Sequence, residues 1–291
     1  MRKTPDGVVL SATDLANGAS CAYLTGLDLA VAEGLMSRPF RRDPMADLLR
    51  KRGLEHENAY LDSLRAMGLD VVDLRAESDR ASATRRAIHE GRDVIAQGEL
   101  RQGRWMGLPD VLLKVARPGR LPWSYEAVDT KLAQETRAGA LLQLGLYSDL
   151  LATTQGVAPE FFHVVTPLTL PGRETHRAAD FAAYVRLVRR RLEAATAASS
   201  SVITTSTYPE PVDHCEVCAF FAVCDRRRRD DDHLSLIAGA SRSQRRELSR
   251  HGITTMSGLA SRDTLGFKPR RGGQEPLLRV LQQARLQVIS S

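Results

Sequence analysis

The sequence predicts a mixed α/β protein with a helical C-terminal extension. Three observations support this fold class: short apolar runs alternate with helical patterns, a hairpin pattern stands near the middle of the chain, and residues beyond 232 show mainly helical spacing. The 291 residues are 43% hydrophobic, which is enough apolar material for a buried core. We place the main domain at residues 1–230 and the extension at 231–291.

Local signals predict the individual elements in chain order. Ser11 and Asp14 form a helix-capping pattern, and Gly53 interrupts an apolar repeat, so that two helical pieces are expected around it. The loop at 117–122 contains proline and glycine, as hairpin loops do. We therefore expect strands at 8–10, 68–74, 93–100, 108–116, 123–130 and 161–168, and helices after Ser11, within 45–67, and at 83–90, 131–153 and 178–198.

Charge and composition restrict the class of partner. Lysine and arginine number 41 against 35 acidic residues, a net charge of +6 that permits a polyanion partner. Aromatic residues are only 5% of the chain, which argues against a binding surface built from many stacking side chains. The sequence shows neither a signal-peptide pattern nor a run of 18 apolar residues, so we expect a cytoplasmic protein with no membrane partner.

Two aspartates face each other across the predicted hairpin. A loop centred between Gly119 and Arg120 places Asp110 directly opposite Asp129, with the Cβ atoms of such a pair roughly 5 Å apart. Like charges at that distance repel, whereas a divalent cation between them makes the arrangement favourable. Alternation along the strand puts Lys131 on the face of Asp129. The alternative is that the two carboxylates lie at strand ends and are solvated separately.

The same residues resemble a known signature. Pro109-Asp110, followed by Asp129-Thr130-Lys131, is similar to the motif of the PD-(D/E)xK superfamily of metal-dependent nucleases. The segment Gly53-Leu-Glu-His56-Glu57 resembles the histidine motif of RecB-like nuclease domains, and Gln143 with Tyr147 resembles their QxxxY motif. The resemblance implies a restriction-endonuclease-like mixed sheet flanked by helices.

The resemblance also implies roles for these residues. His56, Asp110 and Asp129 would hold Mg²⁺ or Mn²⁺, with the Thr130 carbonyl as a further ligand, and Lys131 would act on the attacking water or offset negative charge. Gln143 and Tyr147 would contact DNA.

Other interpretations of the same side chains remain open. His56 could be a histidine satisfied by another partner, and Tyr147 could pack in the core beside an incidental glutamine. Glu57 and Glu126 are further carboxylates that helix geometry and strand alternation place beside the ligands or on the surface.

The four cysteines form a second pattern. Cys215, Cys218 and Cys224 have the spacing C-x2-C-x5-C, and Cys21 is the only other cysteine; we expect it on the first helix. Thiolates at such spacing bind metal centres, here with a fourth ligand from far away in the sequence. The pattern resembles the iron-sulfur nuclease domains of AddB and of CRISPR-associated RecB-like exonucleases, which implies a 4Fe-4S cluster. Zinc and buried free thiols are the alternatives.

The extension contains one further motif. Residues 237–260 resemble part of a helix-hairpin-helix, a motif that contacts DNA phosphates without reading bases. An ordinary structural helical cap is the alternative.

Taken together, the motifs predict a metal-dependent DNA nuclease. We expect an exonuclease on DNA ends or single strands, with a helicase partner in cis or in trans because larger relatives are fused to one. The alternatives are a catalytically silent DNA-binding or helicase-partner module and a zinc-stapled DNA-binding protein.

Overall fold

A mixed β-sheet and its flanking helices form the N-terminal part of the molecule. The computed structural model describes residues 1–5, 7–40, 44–270 and 273–290. The strands of this described part are β1 (Arg2–Thr4), β2 (Gly7–Ser11), β3 (Val71–Asp73), β4 (Val94–Ala96), β5 (Leu100–Gln102), β6 (Trp105–Gly107), β7 (Val111–Val115), β8 (Ser124–Thr130), β9 (Phe161–Val165) and β10 (Glu174–Arg177).

The helices follow in the same numbering. They are α1 (Ala12–Ser20), α2 (Ala22–Ala32), α3 (Pro44–Ala66), α4 (Arg80–Glu90), α5 (Ala138–Gln155), α6 (Ala178–Ala195), α7 (Ser200–Ser206), α8 (Phe221–Asp230), α9 (Arg242–Arg250), α10 (Met256–Ala260) and α11 (Gln274–Ile289). None of these described helices is both long and apolar enough to cross a lipid bilayer.

The main sheet has six strands in the order β10-β9-β8-β7-β4-β3, and a smaller sheet has the order β1-β2-β6-β5. In the main sheet β7 and β8 are antiparallel, whereas β8 runs parallel to β9. Val111 pairs with Val128 and Leu112 with Ala127, which confirms the predicted hairpin register.

Both faces of the main sheet are buried, and residue parity decides which helix covers each face. Val111 and Val128 pack with α3, while Leu112 and Ala127 pack in the larger cluster that includes α5. Because successive strand residues point to opposite faces, Asp129 shares the α5 face with Ala127.

Two predicted helices differ from the structure. Helix α3 runs unbroken through Gly53, because one glycine costs a helix about 1 kcal/mol and the burial of Tyr60, Leu61 and Leu64 outweighs that cost. Helix α5 begins only at Ala138. The Lys131 amide instead continues the sheet by donating to the Val165 carbonyl at 2.9 Å.

Cys21 also departs from its expected place. It lies between α1 and α2 instead of inside a helix, and its Sγ accepts a hydrogen bond from the Leu24 amide. A residue in this position caps the second helix by satisfying one of its first amides.

The described chain divides into two units, Met1–Ser206 and Thr207–Ser291. The division falls before the expected boundary at 230, because residues 207–230 interact with the C-terminal helices. Glu210 pairs with Arg245 at 3.0 Å and with His233 at 3.3 Å. The second unit has its own apolar cluster, which includes Leu248, Leu259 and Leu281.

Candidate active site

The β7–β8 hairpin brings two aspartates together at one end of the main sheet. Continuing the register from Val111 and Val128 by one residue places Asp110 opposite Asp129. Asp110 Oδ2 accepts hydrogen bonds from the Thr130 amide at 2.7 Å and from the Thr130 hydroxyl at 3.0 Å. The Asp110 carboxylate is thus held against the strand that carries Asp129.

Asp129 is fully buried, and its two oxygens have different surroundings. Oδ1 accepts a hydrogen bond from Gln143 Nε2 at 3.3 Å. Oδ2 lies 2.5 Å from Lys131 Nζ in an ion pair. The ammonium of Lys131 therefore offsets part of the negative charge that is buried on Asp129.

The electrostatics of the pair reflect their closeness. Burial, followed by the charge of Asp110, raises the pKa of Asp129 to about 7 even though Lys131 opposes the change. Burial lowers the pKa of Lys131, but the charges of Asp129 and Asp110 outweigh it and raise that pKa above its ordinary value. Lys131 is therefore an ammonium at neutral pH, and a cation between the carboxylates would relieve their repulsion.

The donor set fits a hard divalent cation. Mg²⁺ is usually held by one or two carboxylates, and water and substrate phosphate take its other positions. Among the described residues, no three or more histidine, cysteine, aspartate or glutamate side chains form a group that could hold a metal by themselves. The opposed carboxylates of Asp110 and Asp129 fit the smaller requirement of Mg²⁺.

His56 lies beside the sheet end but outside such a group. It is buried on α3, and its Nε2 is 3.1 Å from the Val165 carbonyl, which also accepts from the Lys131 amide at 2.9 Å. A carbonyl only accepts, so Nε2 carries the proton and is not available as a ligand in this arrangement. This hydrogen bond occupies Nε2 in the arrangement described, and a role of His56 as a metal ligand stays a prediction.

Glu57 and Gln97 approach the aspartates instead. Gln97 Nε2 donates to Glu57 Oε1 at 2.8 Å and lies 3.4 Å from Asp110 Oδ1, and the Gln97 amide donates to the Asp110 carbonyl. Burial and then the Asp110 charge raise the pKa of Glu57. Glu57, next to His56 in the sequence motif, therefore lies beside the aspartates, which is one of the two places expected for it.

No sequence signal marked Gln97. Its φ is +55°, in the left-handed region that residues other than glycine seldom occupy. Such backbone strain is concentrated at functional sites, but it becomes visible only in the structure.

Helix α5 contacts the aspartate pair through Gln143. Gln143 Nε2 donates to the Tyr147 hydroxyl at 2.9 Å as well as to Asp129, and the Tyr147 hydroxyl donates to the Leu108 carbonyl. Tyr147 is only 3% exposed, so its ring packs in the core, and a contact of this residue with DNA stays a prediction. Gln143 is half-buried and stays at the edge of the site.

Glu126 lies on the opposite face of the sheet, as strand alternation predicted. Its carboxylate contacts His163 Nε2 at 2.9 Å and accepts from the Phe161 amide at 3.0 Å. Both oxygens of this buried side chain are thereby satisfied, and Glu126 takes no part in the aspartate pair.

The cysteines are distributed over the two units. Cys215, Cys218 and Cys224 belong to the second unit, and Cys21 belongs to the first. All four are partly exposed, and the Val212 amide donates to Cys215 Sγ at 3.4 Å, as the Leu24 amide does to Cys21 Sγ. Hydrogen bonds to ligand sulfurs also occur at iron-sulfur clusters.

Comparison with known proteins agrees with this geometry. No curated protein matches the chain. Residues 29–225 match the family model of the PD-(D/E)XK nuclease superfamily, a range that contains the aspartate pair and Lys131. The mixed α/β architecture with flanking helices is consistent with a restriction-endonuclease-like fold, as predicted. The chain therefore belongs to the PD-(D/E)XK nuclease superfamily.

Proposed function

We propose that the protein is a Mg²⁺- or Mn²⁺-dependent DNA nuclease that hydrolyses phosphodiester bonds, with an active site formed by Asp110, Asp129 and Lys131. One observation carries the proposal: two opposed aspartates share a sheet end, and the fully buried one, Asp129, pairs with a lysine. Folding alone would not favour this arrangement, because the like charges raise each other's cost of burial.

Each residue has a distinct role in this proposal. Asp110 and Asp129, with the Thr130 carbonyl, would hold the cation, which polarises the phosphate and supplies a hydroxide nucleophile. Lys131, as an ammonium, would offset the negative charge that develops on the phosphate. Gln143 would steady Asp129 and meet the nucleic acid, while Tyr147 would position Gln143 from the core.

We further propose an exonuclease of the RecB-like type that acts on DNA ends or single strands and works with a helicase. The motif order of the histidine segment, the aspartate pair, the lysine and the QxxxY helix supports this narrower assignment. Cys21, Cys215, Cys218 and Cys224 would hold a 4Fe-4S cluster, and their spacing and the amide donors at two of the sulfurs support it.

A cleavage assay tests the enzymatic proposal. Protein purified without oxygen is mixed with labelled single-stranded and blunt duplex DNA, with Mn²⁺ and, separately, with EDTA. We expect metal-dependent cleavage that falls at least ~100-fold in Asp110→Ala and Lys131→Ala, since each removes a group acting on the reacting phosphate. Lys114→Ala, a lysine of β7 paired with Asp93, is the matched control and should cleave normally.

Two outcomes would overturn this proposal. DNA binding without cleavage by the wild type would indicate a silent binding module. Cleavage by Lys131→Ala at the wild-type rate would show that the reaction takes place elsewhere.

A further inference from the structure

A row of arginines lies along one face of α9 in the C-terminal unit. Arg242, Arg246 and Arg250 are four residues apart, so they lie on the same side of the helix, and all three are exposed. Arg250 pairs with Glu247 at 3.0 Å. Within the described part of the chain, neither Arg242 nor Arg246 forms an ion pair. Like charges at this spacing destabilise a helix, so the row is not explained by folding.

The row borders two hollows in the protein surface. The larger has a volume of about 740 Å³ and is lined in part by Ser241, Gln244, Arg246, Arg250 and Arg270. A smaller hollow of about 390 Å³ is lined by Glu210, Arg246, Ser249 and Arg250. Arg246 and Arg250 line both hollows, whereas Arg242, one turn earlier on the exposed face of α9, lines neither. We call the two hollows together with the exposed row of three arginines the α9 groove.

The acidic residues of the α9 groove are already neutralised by neighbours. Glu210 is paired with His233 and Arg245, and these partners, His233 foremost, lower its pKa to about 2. Glu247 accepts from the Arg270 amide at 2.9 Å and pairs with Arg250. The charge left for a ligand is therefore positive.

The geometry of the row indicates the class of ligand. Residues four apart rise about 6 Å along a helix, so the three arginines present positive charge along about 12 Å. A linear polyanion can follow such a row, whereas a small anion engages one part of it. Arginine forms paired hydrogen bonds with phosphate. Among the described residues that line the two hollows, none is aromatic, so base stacking is not expected there.

We propose that the α9 groove binds the sugar-phosphate backbone of nucleic acid, independently of sequence, as a second contact outside the active site. The proposal rests on the nuclease function in one respect only, the choice of nucleic acid as the polyanion. An acidic protein is the competing partner, and the experiment below separates the two.

The test measures binding without cleavage. Full-length protein carrying Asp110→Ala is titrated in EDTA against a fluorescent single-stranded DNA, and anisotropy is followed at several salt concentrations. The groove variant is Arg242→Gln with Arg246→Gln, which keeps helix-forming residues on an exposed surface and leaves the Glu247 pair intact. The control is Arg227→Gln with Arg279→Gln. These arginines of the same unit, the first half-buried and the second exposed, pair with Asp231 and Glu275.

We expect the groove variant to bind about tenfold or more weakly and its log–log salt slope to fall by about 1 to 2, because each lost phosphate contact removes roughly 0.7 to 0.9 from the slope. The control should change by less than about twofold. Unchanged circular dichroism and melting temperature would establish that both variants are folded.

Equal weakening in both variants would overturn the proposal, since net charge alone would then explain it. Unchanged DNA binding with lost binding to a polyglutamate probe would assign the groove to an acidic protein instead. Cleavage is not involved in this readout, so a failure of the nuclease proposal would appear only in the metal-dependent assay of the wild type.

Discussion

Asp129 makes the stability of the metal-free fold depend on pH. Its carboxylate is fully buried beside Asp110, and its pKa rises to about 7 from an ordinary value of 3.8. Between about pH 4 and pH 7 the unfolded chain loses this proton while the folded chain keeps it. Folding stability in the absence of metal is therefore lost as the pH rises through that range.

Asp129→Asn should reverse this loss. In EDTA, we expect the free energy of unfolding of the variant, relative to wild type, to increase between pH 4.5 and pH 7.5 by up to a few kcal/mol, since each unit of pKa shift corresponds to about 1.4 kcal/mol. Urea unfolding at several pH values measures it. Mn²⁺ should stabilise the wild type but not the variant, which should also lack nuclease activity.

Asp62→Asn is the control, because Asp62 is an exposed aspartate of α3. This variant should show no such trend with pH. A stability difference that stays constant across the pH range would contradict the explanation from Asp129.

Gln97 holds a strained backbone while its side chain joins Glu57 to Asp110. Gln97→Gly removes the side chain and also the steric cost of a positive φ, which is about 1 to 3 kcal/mol and outweighs the greater backbone freedom that glycine gives the unfolded chain. We expect the melting temperature to hold or rise while metal affinity and turnover fall several-fold. Calorimetric titration with Mn²⁺ and the cleavage assay measure these effects.

Gly103→Ala provides the contrast, because Gly103 has a φ of +54° with open space around it and lies in the turn between β5 and β6. That variant should lose stability and keep metal affinity. Unchanged metal affinity in Gln97→Gly would show that the glutamine does not position the carboxylates.

At the scale of elements, the small sheet and α5 together fix the position of the QxxxY pair. Gly107 on β6 lies so close to α5 that an added Cβ would be 2.7 Å from Tyr147 Cδ1 and 3.0 Å from Leu150 Cδ1. The aromatic ring cannot shift without moving the hydroxyl that holds Gln143 and Leu108.

Gly107→Ala should therefore cost both stability and activity. Overpacking of this kind costs about 1 to 3 kcal/mol, which we expect as a lower melting temperature together with reduced cleavage. Gly139→Ala on α5, the helix that Gly107 faces, is the control. Nothing lies within 4 Å of its added Cβ, and alanine favours a helix. Normal cleavage by Gly107→Ala would show that the Tyr147 position does not influence the site.

At the scale of the whole molecule, the cysteine pattern predicts a cofactor whose ligands are far apart in the sequence. Cys21→Ser changes the first unit, and Cys218→Ser changes the second. If all four cysteines hold one cluster, each variant should lose most of the iron and the visible absorbance of protein purified without oxygen, and should unfold at lower temperature. Metal analysis and absorbance spectroscopy measure this.

His214→Ala, next to Cys215, is the control and should keep its iron. Stoichiometric zinc with no iron in the wild type would replace the iron-sulfur proposal by a zinc site.

The sequence by itself determined the hairpin register and the faces of its residues. The opposition of Asp110 and Asp129, and the separation of Glu126 from them, follow from a strand period of two and a proline-glycine loop. These are local properties of residues close together in the chain, so they can be predicted without the rest of the fold.

Only the tertiary structure decided which distant side chains complete the site. His56 meets a carbonyl 109 residues away, Gln97 reaches Glu57 across 40 residues, and Tyr147 turns into the core against Gly107. Such contacts depend on how helices and strands pack against one another, and a motif lists neighbouring residue types without stating which way each side chain points. The physical reason is that burial and hydrogen bonding are satisfied by the whole fold, not by the segment that carries the residue.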